Sequence, residues 1–235
     1  MGRPPRISLG GYVYHVVCRG LQPKGIFRSN EDYEEFVTVL AEAVERFEPR
    51  VLSYCVLPKH WHLVLTPRRD GDLSKLIAWL TVTHSARWHT QPRRANTGGL
   101  YERRFRSFPV QDDASLLEIM RFIESHPKRS GLCNSVLEWK WSSAARRSLA
   151  ASTDKPTHTK NPEPIVSSPP LALPSDWPRV LDAELPDEIR AKVIRSIQRG
   201  CPYGDDAWIV RTAKKMALES TLRPRGRPKL PAQGR

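Results

Sequence analysis

The sequence predicts an α+β fold: a ferredoxin-like or RRM-like antiparallel sheet with helices packed mainly on one face, plus a small helical C-terminal appendage. Three observations carry this. Over the first 150 residues, short β-branched or aromatic runs and runs of helical period follow one another as strand, helix, strand, strand, helix, strand, helix. The 39% hydrophobic content of 235 residues supplies a core for roughly 100 to 150 of them. Past residue 150 the composition turns to Pro, Ser and Thr before helical spacing resumes.

Residues 11–18, GYVYHVVC, alternate and read as the first strand, closed by the turn signal Arg19-Gly20. From Asn30, NEDYEEFVTVLAEAVERF has a capping residue, acids in its first turn and apolar Phe36, Val37, Leu40, Val44 and Phe47 at helical spacing. Val51 to Leu57 is a second strand, broken by Pro58-Lys59, and His60 to Thr66 a third. Leu73 to about Thr90 is a second helix carrying Leu76, Ile77, Leu80 and Val82. Tyr101 to Val110 is a short strand or extended arm rich in Arg, and Asp113 to about His126 a third helix stopped by Pro127.

The domain organisation follows from these shifts: a domain over 1–150, a linker over 151–178 that holds 7 of the 21 prolines, a helical segment over 179–220 and a basic tail over 221–235. No run approaches the roughly 20 apolar residues of a membrane span, and MGRPPRISLGG lacks the apolar stretch of a secretory signal. A cytoplasmic, nucleoid-associated bacterial protein is the expectation. Cys18, Cys55, Cys133 and Cys201 form no CxxC pair, which argues against a zinc ribbon or disulfide scaffold. A formal charge of +13 and a pI near 10.0 call for a polyanionic partner, nucleic acid first.

His60-Trp61-His62 is the sharpest local feature. On a strand the two imidazoles share a face about 7 Å apart and Trp61 takes the other, so the pair can hold one divalent cation if a third ligand comes from a neighbouring element. A pair of exposed strand histidines has the same pattern. On the third helix, an inward stripe of Leu116, Leu117, Met120 and Ile123 sets Ser115, Glu118, Phe122 and His126 along an adjoining face. His126, or alternatively Glu118, is then the candidate third ligand; a polar residue placed against the helix dipole is the plainer reading of His126.

Taken in order, YHVVCRG, IFRSNEDYEEFVTVL, YCVLPKHWHLVL, YERRFRSFPVQ, RFIESHPKRSGL and WKWSSA resemble the REP-associated tyrosine transposases, a branch of the single-tyrosine HUH transposases. PYGDDAWIVRTAKKMALESTLRPRGRPK resembles the tail of one subgroup. The resemblance implies transposition of DNA by metal-assisted cleavage and rejoining of hairpin-bearing single strands, with Mg²⁺ or Mn²⁺ on His60, His62 and His126, and a helix-borne tyrosine that forms a phosphotyrosine.

The nucleophile departs from that pattern. The family helix typically reads Tyr-Ile-x-x-Asn-Pro, and here the aligned residues are Phe122-Ile123-Glu124-Ser125-His126-Pro127. A benzyl ring has no oxygen to attack phosphorus. Three accounts stay open: a non-catalytic hairpin-binding regulator, a substitute hydroxyl from Tyr101, or a metal-water nuclease built on His60, His62 and His126.

Arg87, Arg93, Arg94, Arg103, Arg104 and Arg106, interleaved with Trp88, Tyr101, Phe105 and Phe108, have the composition of a single-strand interface, in which Arg reaches phosphates and rings stack on bases. Phe105 and Phe108 also suit a core. Pro224-Arg225-Gly226-Arg227-Pro228 resembles an AT-hook, which would put Arg225 and Arg227 in an A·T-rich minor groove; a generic basic tail fits equally. The expected partners are therefore hairpin or single-stranded DNA and an A·T-rich duplex, bound by a monomer or homodimer. An RNA-binding RRM-like protein ranks last, since no RNP-type aromatic strand is present.

Overall fold

A computed structural model describes residues 8–91, 94, 98–102, 104–152 and 166–223. Four strands, β1 (Val13–Arg19), β2 (Arg50–Leu57), β3 (His60–Thr66) and β4 (Arg106–Val110), form one antiparallel sheet in the order β2-β3-β1-β4. Helix α1 (Asn30–Phe47) links β1 to β2, and α2 (Asp72–His89) links β3 to β4. This is the expected ferredoxin-like order.

Alternation along the strands sorts side chains between two cores. Tyr14, Val16 and Cys18 of β1 and Trp61, Leu63 and Leu65 of β3 face α1 and α2, where Phe36, Val39, Leu40, Leu73, Leu76, Ile77 and Leu80 complete the packing. Each such fully buried large side chain is worth about 1.5–3 kcal/mol. Val82 is off this stripe and 68% exposed.

The second face is covered as well. Here Val13, Leu52, Val64, Phe108 and Val110 meet Leu116, Ile119, Met120 and Ile123 of α3 (Ala114–Glu124). The helical segments α6 (Trp177–Asp182) and α7 (Asp187–Arg199) add Trp177, Leu181 and Val193 to that cluster. Between α3 and α6 come the one-turn α4 (His126–Arg129), a 3₁₀ turn at Val136–Glu138, and α5 (Ser143–Ser152); α8 (Asp206–Lys215) and α9 (Glu219–Leu222) end the described chain.

Both sheet edges are occupied, which removes unpaired ladder groups. At β4, Tyr203 N donates to Pro109 O and Gln111 N to Tyr203 O, each at 2.9 Å. At β2, Val56 N donates to Trp141 O (3.0 Å) and Ser167 N to Val51 O (2.7 Å). Residues 153–165 of the anticipated linker lie outside the described residues, whereas Ser167 pairs with β2 and Trp177 opens α6.

The turn that launches β3 is held by the loop after β1. Pro58 O accepts from Ile26 N and Phe27 N, and Lys59 O from Gly20 N. Gly25 (φ +89°) lets this approach happen, because a Cβ there would lie 2.6 Å from Pro58 O. His60 begins at the end of that clamp.

Candidate metal centre and nucleic-acid interface

His60 and His62 share the α3 face of β3, with ring centroids 4.9 Å apart, while Trp61 is fully buried on the other face beside Phe36. Helix α3 ends at Glu124, and Pro127 at the start of α4 fits a first helical turn, where its missing N–H costs nothing. His126 at that junction stands 5.0 Å from the His60 ring and 5.3 Å from the His62 ring. One nitrogen from each of the three can lie within 4.8 Å of the others. Among the described residues Glu118 is not part of this group: its carboxylate accepts from the Tyr203 hydroxyl.

The three rings are poised as neutral donors. Burial, followed by the charge of Arg19, lowers the His60 pKa to about 4. His62 is pushed well below its ordinary value by burial and then by His60, His15, His126 and Arg129. Burial with His60, Arg129 and Arg19 takes His126 to about 3. At neutral pH each therefore offers a lone pair. His62 Nε2 and His126 Nδ1 are buried and, among the described residues, have no hydrogen-bond partner, so the donor set fits a divalent cation bound through nitrogen.

Phe122 lies against the triad, 4% exposed, with its ring 6.2 Å from His62 and 6.0 Å from His126. The Arg129 guanidinium sits 4.6 Å above that ring and donates to the Phe122 carbonyl. This position presents carbon only.

Tyr101 is not brought to the triad. It packs on the α1/α2 side of the sheet, its hydroxyl 2.6 Å from His84 Nδ1 and accepting from Trp61 Nε1 at 3.2 Å. Burial, then Cys18, raises its pKa well above 10.0, so it is a poor source of phenolate.

The arginines divide. Arg87 donates through both terminal nitrogens to Glu42 (2.8 and 2.7 Å), tying α2 to α1. Arg94 bonds the buried Asp32 at 2.6 Å and lies 4.8 Å over the Trp88 ring. Trp88 is itself buried and donates to Ile26 O, and Phe108 is core against His15, so neither ring is offered to a base. Phe105 packs against the α1/α2 core. Arg104 and Arg106 are exposed. Register puts Arg106 on the triad face, since Val17 is opposite both His62 and Arg106. Arg93, Arg103, Arg225 and Arg227 lie outside the described residues.

Two residues at the site went unnoticed in the sequence. Arg19, exposed, is paired with His60, and its charge acts on His60 and His126. His15, fully buried, places Nε2 2.9 Å from His62 Nδ1. Their only signal is that positions 15, 17 and 19 share one face of β1; which of them meet β3 histidines depends on register.

The family model described as "Transposase IS200 like" matches residues 8–126. A protein of Haemophilus influenzae described as a REP-associated tyrosine transposase is 27% identical over 124 residues, 49% of this chain and 70% of that protein. Among solved structures, a REP-associated tyrosine transposase bound to a REP hairpin aligns with a TM-score of 0.54 at 16% identity, covering 71% of this chain and 100% of that one. That last likeness is one of fold. No described helix is long and apolar enough to cross a membrane.

Proposed function

The chain belongs to the IS200-like transposase family, and from that membership we propose that it binds hairpin-forming, REP-like single-stranded DNA across the triad face and lacks the side-chain nucleophile for nicking it. The observation that carries this is the company Phe122 keeps: a ring without oxygen packs on His62 and His126, two of three neutral histidines whose donor atoms converge. A divalent cation held by His60, His62 and His126 would polarise a scissile phosphate and offset the charge developing on its oxygens. An all-imidazole donor set suits Zn²⁺ best; Mn²⁺ and Mg²⁺ both favour oxygen ligands, and an ion of either kind would complete its shell with water and phosphate oxygens. The hairpin bound by the structural relative supports the choice of DNA partner.

Arg19 and Arg106 flank the triad and would seat the phosphates on either side of the one at the centre. Hairpin affinity should fall steeply between low and moderate salt, and removing either arginine should flatten the slope of log K against log salt by about 0.7. Arg87→Ala should leave that slope unchanged, because its guanidinium is committed to Glu42; the exposed pair is worth no more than about 1 kcal/mol of stability. A salt-independent affinity would sink the DNA reading.

The deciding experiment incubates the full chain with labelled single-stranded hairpin DNA and Mn²⁺. Binding without a covalent adduct is expected, and an adduct surviving denaturation would overturn the loss of nucleophile. A second reading is favoured by the third nitrogen donor, His126: water replaces the missing phenolate and the strand is hydrolysed. It is distinguished by metal-dependent cleavage with no adduct. The tail residues Arg225 and Arg227 would add A·T-rich duplex binding, tested by competition with G·C-rich duplex after substitution to Ala.

A further inference from the structure

We propose that His15 is a positioning residue that sets the tautomer and aim of His62 and so makes the triad competent for metal. The inference rests on the reading of His60, His62 and His126 as a metal site. His62 Nε2 can offer a lone pair only if the ring proton resides on Nδ1. Among the described residues that atom is partnered by His15 Nε2, at 2.9 Å. His15 must then accept, with its own proton on Nδ1. In the opposite arrangement His15 Nε2–H donates, His62 carries its proton on Nε2, and that nitrogen points a hydrogen at the metal position.

The surroundings make His15 a fixed partner. It is fully buried, opposite Val64 and Phe108 in the sheet, with its ring 4.8 Å from that of Phe108 and 5.1 Å from that of His62. In the metal-free pair both tautomeric arrangements leave two buried ring nitrogens without partners, namely His15 Nδ1 and His62 Nε2. A cation on His62 satisfies one of them in only one arrangement. Cation binding and the His15 Nδ1–H form are therefore coupled, as in metal sites where an outer partner fixes a ligating imidazole.

Two measurements test this. In protein labelled with ¹⁵N-histidine and titrated with Zn²⁺, two-bond correlations should show His62 and His15 both as Nδ1–H, with His62 Nε2 shifted by coordination. Zn-loaded protein in which His15 is Nε2–H overturns the proposal. By calorimetry with Mn²⁺ and Zn²⁺, His15→Phe should lose about 10–100-fold in affinity, and His15→Gln, whose side-chain carbonyl accepts in place of Nε2, should recover most of it. A His15→Phe affinity within about twofold of the unmodified chain also overturns it. Should His15→Phe not fold, the tautomer measurement on the unmodified chain still decides. His126→Ala separates the two layers of inference. If the unmodified chain takes up neither ion, or His126→Ala binds as tightly, the triad reading and this one fall together; if His126→Ala loses metal and His15→Phe does not, only the role of His15 falls.

Discussion

Phe122→Tyr should convert the chain into a strand-nicking protein that forms a covalent adduct with hairpin DNA in Mn²⁺. The residues proposed to hold the metal surround that ring. It touches His62 and His126, and Arg129 covers its face at 4.6 Å. A nearby guanidinium favours the phenolate over the phenol, the state needed to attack phosphorus. In enzymes that depend on a side-chain nucleophile, losing it costs on the order of 10⁶ in kcat. Even partial recovery should therefore give a detectable adduct where the unmodified chain gives none. The added hydroxyl enters a position only 4% exposed, and a buried hydroxyl costs roughly 1–3 kcal/mol unless it finds a partner. Thermal stability and Mn²⁺ affinity should be measured beside the adduct on a denaturing gel. A folded, metal-binding Phe122→Tyr protein that forms no adduct would show that the site is not a dormant nicking centre.

How much of this was legible depends on how far apart in the chain the partners are. His60 and His62 on one face and Trp61 on the other follow from strand alternation alone, and the helical period carried His126 toward them. His15 and Arg19 were not legible, because their roles come from the β1–β3 register, which brings together residues more than 40 positions apart. The same cause hid the partners of Arg87 and Arg94. Their acidic partners, Glu42 and Asp32, belong to α1, and nothing local distinguishes a guanidinium committed to a distant carboxylate from one free for phosphate. Asp32 carries a second duty: burial would raise its pKa, but bonds from Arg94, Arg28 N and Ser29 N outweigh this and hold it below the usual carboxylate range. Trp177, in what reads as linker, is a core residue because its ring meets the α3 layer and its indole nitrogen finds a carboxylate there.

That carboxylate is Glu124, and Glu124→Ala should cost about 3–5 kcal/mol. Its side chain is wholly buried and accepts from Ser53 of β2, Ser143 and Arg147 of α5, and Trp177 Nε1 of α6 at 2.9 Å. Four donors from three elements converge on one residue of α3. Removing it strands a guanidinium and an indole N–H without their acceptor, and the penalty is mainly theirs. For a chain of this size, 1 kcal/mol moves Tm by roughly 2–4 °C, so a fall of about 6–20 °C is expected. Glu124→Gln keeps an acceptor but no charge for Arg147 and should lie between. The double change Glu124→Leu with Arg147→Met should recover part of the loss by removing the stranded charge; the Trp177 indole N–H stays without its acceptor, while Ser53 and Ser143 keep each other and Ser143 keeps Tyr54. The position matters for chemistry because Glu124 lies between Phe122 and His126. The contacts that hold α3 against β2 also hold His126, the proposed third ligand, over His60 and His62, so Mn²⁺ affinity in Glu124→Ala should fall even though none of the three histidines has been changed. A Tm within about 2 °C of the unmodified chain would show that the hub contributes less than about 1 kcal/mol, and the ordering of the α3–α4 junction would then have to come from apolar packing alone.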